Sequence, residues 1–546
     1  MIQVTYLRDD RVYTTERSNA DLTVQAEESE SRIRITLTAL QAVRLIRVQR
    51  VAPLMREEDD RYFVNGYQSW TYSPEWQARD RQYGVRGLGR LPIAYAYTSA
   101  TNDDAFALRP RRSGEFYGYT YGYVRRAEVV TLYGSLVDRQ AFTRIGLRPC
   151  DDTVSMTRDL EGIALQAGES CLALDVAVLQ GAYDEVFDAY FDMLDVKPRT
   201  DQTLRGYTSW YNYFGKIDTD QLMRDLSGLA DRAGDLANIF QIDDGWQNKV
   251  GDWLELRAPQ FTDMRALADA AHARGLQAGL WLAPTLCSRD SRTAAEHPDW
   301  LLRNAKGKPI IGSVAWGGAY VLDIYHPQVQ EYLRRVFDTV CNVWGFDMVK
   351  LDFLYSSCMI PRAGKPRGQI MADTVDFLRD CCKNIRILGC GVPLASCWGI
   401  FDYCRIGCDV DLRYRDLWYK KHTNPEIISA PHTIADTVFR RHLHGRAFLN
   451  DPDVFFLRQN NLHFTDEQKR VLARINALAG GVLFVSDDVG AYDDVALEAL
   501  REVWSARDTH IDYAEYTDGI LTLSYTWEGQ NELLQWNLAK GEKAGK

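Results

Sequence analysis

No stretch of the chain approaches the roughly 18 consecutive apolar residues that a membrane-crossing helix needs, so no transmembrane segment is expected. Positive charge is in short supply. The 64 Lys and Arg stand against 75 Asp and Glu, a formal net charge of −11, whereas a nucleic-acid surface would more often be basic. Histidine is scarce at nine residues, and the one close pair, His442 and His444, lacks the companions of a metal site. None of the eleven cysteines stands in a Cys-x-x-Cys pair, which argues against zinc loops. Reduced, buried thiols are expected instead. There is no phosphate-cradling Gly-x-x-x-x-Gly-Lys loop, and Gly84-Val-Arg-Gly-Leu-Gly89 has the wrong spacing for a dinucleotide fingerprint. The start at Met1-Ile-Gln-Val lacks a basic segment followed by an apolar run, so a cytoplasmic location is expected.

What is present is an ordinary globular mix, 46% hydrophobic and 25% charged, long enough for several domains. The pattern divides it into three. Residues 1–195 show short alternating runs broken by turns, such as Arg32-Ile-Arg-Ile-Thr-Leu-Thr38, and dense aromatics, as in Gly118-Tyr-Thr-Tyr-Gly-Tyr-Val124. That texture predicts an N-terminal β-sandwich. In residues 196–490 apolar runs alternate with amphipathic helical stretches about eight times. Candidate strands are 204–208, 238–242, 277–281, 347–351, 385–388, 403–406, 447–449 and 482–485. A central (β/α)8 barrel is predicted, with a doubly wound sheet as the runner-up. Residues 491–546 read as a helix followed by a small antiparallel β domain.

Barrel chemistry gathers at the C-terminal ends of the strands. Acids recur there: Asp243 and Asp244 after the second strand, Asp352 at the fourth, Asp409 after the sixth, Asp451 and Asp453 after the seventh, and Asp487 and Asp488 after the eighth. Each could simply cap the helix that follows, which suits Asp451, Asp487 and Asp488. Lys350-Leu-Asp352 fits that reading less well. Alternation places both side chains on one side of the strand, and a charged pair facing a barrel mouth must be bonded or functional. Converging carboxylates suit metal binding or glycoside hydrolysis. The neighbouring rings (Trp210, Tyr211, Trp246, Trp253, Trp281, Trp398) favour sugars, whose C–H faces pack on aromatics.

At these residues the sequence resembles family 36 of the glycoside hydrolases, the retaining α-galactosidases, in its compact bacterial form. The resemblance is carried by Asn65-Gly-Tyr-Gln-Ser-Trp70, Gly206-Tyr-Thr-Ser-Trp210, Gln241-Ile-Asp-Asp-Gly-Trp246, Gly279-Leu-Trp-Leu-Ala-Pro284, Phe346-Asp-Met-Val-Lys-Leu-Asp352 and Cys404-Arg-Ile-Gly-Cys-Asp409. It implies that Asp352 is the nucleophile and Asp409 the acid/base. It implies that Asp243 and Asp244 accept hydrogen bonds from O4 and O6, with Lys350 and Arg405 as donors to the sugar. Trp70 and Trp281 match walls of the terminal-sugar subsite, and Cys390 a position near O2. Trp246, in the same motif, is placed with the substrate-binding residues. The sequence departs from the pattern at Thr285–Asp290 and Cys397–Gly399, around C2 or the leaving group.

In a double displacement Asp352 must attack as a carboxylate, helped by Lys350 and Arg405, while Asp409 begins protonated and is expected to lack a close cation. The two carboxyls should lie about 5–6 Å apart. No metal and no cofactor are expected. The expected partner is a small carbohydrate, raffinose or melibiose in type, with no nucleic acid, no membrane and a possible homo-oligomer. The alternatives are a related α-N-acetylgalactosaminidase, an α-galactosyl transglycosylase and a non-catalytic carbohydrate-binding protein.

Overall fold

The strand Arg32–Ala39 alternates strictly, burying Ile33, Ile35, Leu37 and Ala39 while its arginines and threonines stay partly exposed. That period of two is what a sheet with one covered face requires. It recurs through the N-terminal region of the computed structural model, which describes residues 1–82, 112–418, 420 and 426–545. The Gly84–Gly89 motif lies outside the described residues. Two antiparallel sheets face each other across an apolar interior containing Tyr6, Leu37, Leu45, Val154 and Met156. The six-stranded sheet runs from Arg11–Thr15 to Phe116–Tyr119, and the seven-stranded sheet from Leu22–Glu28 to Glu75–Gln77. The expected sandwich is therefore present. Its seven-stranded sheet has a second client. The helix Tyr183–Met193 lays Phe187 and Tyr190 across it, and Tyr190 approaches so closely that a Cβ on Gly134 would meet its ring at 2.5 Å.

Eight parallel strands then form a nearly closed barrel: β1 Leu204–Thr208, β2 Ile239–Ile242, β3 Gln277–Leu282, β4 Met348–Leu351, β5 Arg386–Gly389, β6 Tyr403–Arg405, β7 Leu449–Asp451 and β8 Val482–Val485. From β1 to β7 each strand pairs with the next in sequence, and β8 pairs with β1. The gap between β7 and β8 is bridged by Gly481 N to Asn450 O at 2.8 Å and Phe455 N to Phe484 O at 3.1 Å. The connecting helices are ordinary amphipathic ones. Thr219–Ala233 buries Leu222, Leu226, Leu229 and Ala233, and Asp218 caps it by accepting from Gln221 N. Strands β2, β4 and β8 are buried at every position, as barrel strands covered on both sides must be. Gln241 and Lys350 are thus polar residues in apolar company, and their partners decide what they are for.

Two local expectations need correcting. β7 begins two residues later than the apolar run Ala447–Leu449 suggested. Asn450 belongs to the strand, where its buried amide nitrogen donates to the carbonyls of Arg440 and Ala479 at 3.3 and 3.2 Å. Asp451 and Asp487 are not helix caps either. Asp451 pairs with Arg405 at 3.0 Å, and Asp487 accepts from the backbone of Leu457 and Arg458 and from the Arg458 guanidinium.

Beyond the barrel, the helix Asp494–Ser505, capped by Asp493, leads to a four-stranded antiparallel sheet from His510–Thr517 to Glu542–Lys543. Among the described residues no helix is long and apolar enough to cross a membrane.

Candidate active site

A cavity of about 210 Å³ opens at the C-terminal ends of the barrel strands. Seven of the ten sequence-predicted site residues line it: Trp70, Asp243, Asp244, Trp281, Lys350, Asp352 and Asp409. Asp352 and Asp409 therefore face one space, although 57 residues separate them in the chain.

Asp352 follows the last residue of β4, so the strand delivers it straight to the rim. One oxygen accepts from Trp281 Nε1 at 3.1 Å and the other from the backbone N–H of Phe353 at 2.8 Å. Phe353 takes a left-handed conformation, φ 56°, which turns the chain sharply after the acid. Burial raises the Asp352 pKa. The Lys350 charge and the Trp281 hydrogen bond oppose the rise, and the Asp409 charge adds to it. The ion pair Lys350 makes is with Asp243, Nζ to Oδ2 at 2.8 Å, both side chains buried. The expected help to Asp352 is thus a field effect rather than a contact. Asp243 also accepts from Gln241 Nε2 at 2.8 Å, which answers what the polar residue of β2 is for. Asp244 accepts from Gln247 Nε2 at 2.6 Å and from Trp316 Nε1 at 2.8 Å, and its pKa is raised by burial.

Asp409 has a cation beside it, contrary to the expectation. Arg405 Nη1 donates to Asp409 Oδ1 at 2.8 Å. The reason lies in the spacing: Arg405 ends β6 and the chain returns to it four residues later. The same guanidinium also holds Asp451 at 3.0 Å and Asp453 at 2.8 Å, so one positive charge serves three carboxylates. Asp453, buried and close to its acidic neighbours, has its pKa pushed up to about 7, with burial the larger cause. Tyr211 donates a short hydrogen bond to it. Arg405 thus lies beneath the cavity rather than in its wall.

Cys390 is also one layer back. It accepts from Trp70 Nε1 at 3.2 Å and is buried. The following residue, Gly391, has φ 57°, and a Cβ there would lie 2.9 Å from the Trp70 ring, so glycine lets the indole close on the barrel. Trp246 is removed from the site. It is fully buried, donates its Nε1 to the Trp281 carbonyl at 3.0 Å and packs on Trp253 and Trp344. A ring next to two site aspartates reads as a platform in sequence, yet the left-over space behind Trp281 is where it goes.

Six further wall residues were not among the predicted site residues: Trp210, Ala315, Trp316, Phe353, Glu426 and Ile428. Trp316 stands on a small sheet inserted after β3 (Leu286–Ser288, Ile311–Ser313, Ala319–Val321), where Trp316, Gly317 and Gly318 all have positive φ. The run Ala315-Trp-Gly-Gly318 was the available signal, an aromatic in a turn too tight for ordinary residues. Glu426 carried no signal. It is held by Thr71 Oγ1, donating at 2.7 Å, a contact across 355 residues. A second cavity, about 310 Å³, lies between helices Asp466–Ala479 and Asp494–Ser505 and the last sheet. Its wall is mainly aliphatic, and Arg474 there is paired with Glu502 and Glu532, so the chemistry favours the barrel mouth.

The melibiase family model matches residues 208–369, from the end of β1 into the helix after β4. Alpha-galactosidase Mel36A of Lactobacillus acidophilus is 28% identical over 152 residues, 26% of this chain and 20% of that one. The chain resembles the family 36 α-galactosidases. A second relative is the A type blood alpha-D-galactosamine galactosaminidase of Flavonifractor plautii, 33% identical over 134 residues, 22% of this chain and 12% of that protein. The chain thus matches about a fifth or less of the length of these two relatives. The structure of TtGalA, the α-galactosidase of Thermus thermophilus, in complex with p-nitrophenyl α-D-galactopyranoside, matches with a TM-score of 0.72 at 24% identity. That likeness of fold covers 93% of this chain and 98% of the other. The likeness of fold therefore runs through sandwich, barrel and last sheet, while the family-model match lies at β1–β4.

Proposed function

We propose that the protein is a retaining α-galactosidase that releases terminal, non-reducing α-D-galactosyl residues from oligosaccharides of the raffinose or melibiose type. The observation that carries the reading is the meeting of Asp352 and Asp409 on one cavity whose remaining charged wall is Asp243, Asp244, Lys350 and Glu426. Galactose differs from glucose in an axial O4. A carboxylate pair beside a buried ammonium supplies acceptors and one donor for the O4 and O6 hydroxyls on that side. Trp281 and Trp70 supply apolar walls for the ring.

The chemistry runs in two displacements. Asp352 attacks the anomeric carbon and the glycosidic C–O bond breaks as Asp409 transfers its proton to the leaving oxygen. Asp409, now a carboxylate, takes a proton from water, whose oxygen attacks the same carbon and releases Asp352. Configuration is retained because the carbon is inverted twice. Positive charge builds at C1 and the ring oxygen in both transition states, and the acidic wall stabilises it. Arg405 holds Asp409 through one nitrogen while Asp451 and Asp453 occupy the other two, which fixes the direction of the acid/base.

We also propose that the three units are residues 1–195, 196–490 and 491–546, and that the protein works in the cytoplasm. All eleven cysteines are free thiols and seven are buried, which suits a reducing compartment. The likeness to the Flavonifractor galactosaminidase favours one second reading, cleavage of α-N-acetylgalactosaminides. Aryl α-galactoside and aryl α-N-acetylgalactosaminide, assayed side by side, separate the two. Trapping with a 2-fluoro or cyclitol-epoxide galactose mimic, followed by mass spectrometry of the digest, should place the label on Asp352. A label on another residue, or turnover of neither glycoside, overturns the reading.

A further inference from the structure

The N-terminal loop 65–73 brings Trp70 into the cavity wall, yet it belongs to the sandwich. Single bonds tie it to the barrel at Ser69 N to Val392 O, 3.0 Å, and Trp70 Nε1 to Cys390 Sγ, 3.2 Å, but one guanidinium gathers several of its residues at once. Arg440 follows the helix Ala430–Phe439 and is wholly buried. Its Nη1 donates to Ser69 O at 2.8 Å and to Ile406 O at 2.7 Å. Its Nε donates to Asn65 Oδ1 at 3.1 Å, and its Nη2 to Ser73 Oγ at 2.9 Å. Ser69 precedes Trp70, and Ile406 follows Arg405, the residue that holds Asp409. One nitrogen atom therefore spans the peptide beside the ring wall and the peptide beside the acid/base support. The preceding turn of the helix adds another tie: Asp436 Oδ1 accepts from the backbone N–H of Ser73 at 2.7 Å. Arg440 has no carboxylate within ion-pair distance among the described salt bridges, so its buried charge is satisfied by loop and strand oxygens. A residue wanted only for packing would avoid that cost. No other side chain type offers donors in three directions from one rigid plane.

We propose that Arg440 is a positioning residue that sets the Trp70 wall against the end of the strand that carries Arg405 and leads to Asp409, so that the sandwich loop forms a fixed side of the sugar site. This rests on the activity proposed above. It differs from a general folding role in one respect: its effect on substrate must pass through Trp70.

The test uses the full chain with Arg440→Lys and, as a milder probe, Ser73→Ala, which removes no charge but takes away the oxygen that accepts from Arg440 Nη2 and Gly66 N and donates to Thr71 O. Hydrogen exchange is followed at the Ser69, Thr71 and Ser73 amides, and KM and kcat are measured on an aryl α-galactoside, each with and without Trp70→Ala. The expected result is faster exchange confined to loop 65–73 and a KM raised about tenfold by Arg440→Lys, with kcat changed much less. In the Trp70→Ala background the same substitution should change KM by less than about twofold, since coupled residues are non-additive. Ser73→Ala should repeat the pattern at smaller size, and decides the matter if Arg440→Lys does not fold. Unchanged exchange in the loop, or KM effects that multiply independently of Trp70, overturn the proposal. Wild-type protein without turnover of any α-galactoside would overturn the activity reading instead. The exchange measurement still decides whether Arg440 pins the loop.

Discussion

A nucleophilic carboxylate buried under a sugar site meets two demands that conflict. It must be dry enough to exclude competing water, and burial of a charge in such a place raises its pKa. Asp352 shows the conflict and its partial relief: burial pushes up, while Lys350 and the Trp281 N–H push down. A hydrolase reading then fixes a sign. The attacking form is the carboxylate, so kcat/KM should fall as pH drops below a folded-state pKa that lies above the ordinary aspartate value. Trp281→Phe removes the donor while keeping a ring, so the acidic limb should move to higher pH, alongside a raised KM. A limb that stays put or moves down would mean that Asp352 does not govern it. Asp409 is tested by leaving group. Asp409→Ala should lower kcat/KM on raffinose about 10²–10⁴-fold. On a dinitrophenyl α-galactoside, which needs no proton, the loss should be about tenfold or less. Equal losses on the two substrates would remove Asp409 from the acid role.

At the scale of elements, the barrel supplies the acids and the inserted pieces shape the space around them. The small sheet after β3 is the clearest instance. Its turn carries Trp316 to Asp244, one indole N–H to one buried carboxylate oxygen at 2.8 Å. A hydrogen bond to a charged group contributes about 1.5–3 kcal/mol. Trp316→Phe should therefore raise KM for α-galactosides roughly tenfold with little change in melting temperature, measured by kinetics and thermal denaturation together. A matching fall in stability would mean that the turn holds the fold and not the sugar. The same contrast explains what could be read from sequence. The barrel strands are mostly apolar runs, and five of the eight are followed by acids, so Asp243, Asp352 and Asp409 stood out. Their neighbours did not. Trp316 reaches Asp244 across 72 residues and Glu426 reaches Thr71 across 355, and neither distance leaves a local periodicity. Trp246 failed in the other direction. It has the motif of a wall residue, but whether a ring faces a cavity or the layer behind it is decided by packing among Trp253, Trp281 and Trp344. The cation beside Asp409 was present in the motif as Arg405. Its three-way sharing needed the seventh strand to bring up Asp451 and Asp453.

At the scale of the molecule, the sandwich keeps a core of its own between its two sheets, and a second interior joins it to the barrel and the last sheet. A single buried cluster runs from Phe63 and Tyr123 of the sandwich through the barrel to Leu521 and Trp536 of the last sheet. Polar ties follow the same seams. His442 bridges Tyr121 and Tyr183, 2.7 Å to each hydroxyl, with its ring stacked on Phe187. Arg125 and Arg61 of the sandwich reach Tyr513 and Glu515 of the C-terminal sheet. Domains joined by a wide apolar interface lose their independence, because opening one exposes the core of the next. Calorimetry at pH 7 should therefore show one endotherm in which calorimetric and van't Hoff enthalpies agree within error. His442→Ala tests the seam itself. It strips the stacked ring and leaves two buried tyrosine hydroxyls without their partner, so the whole endotherm should shift down rather than split. The imidazole is held neutral by burial, its pKa well below the usual histidine value. A base depressed in the folded state binds fewer protons than in the unfolded chain, so its contribution is present above the ordinary pKa near 6.5 and is lost as pH falls through that window. The gap between wild type and His442→Ala should accordingly narrow from pH 7 toward pH 5. Two resolved transitions in the wild type, or a gap that widens in acid, would show that sandwich and barrel fold as neighbours rather than as one body.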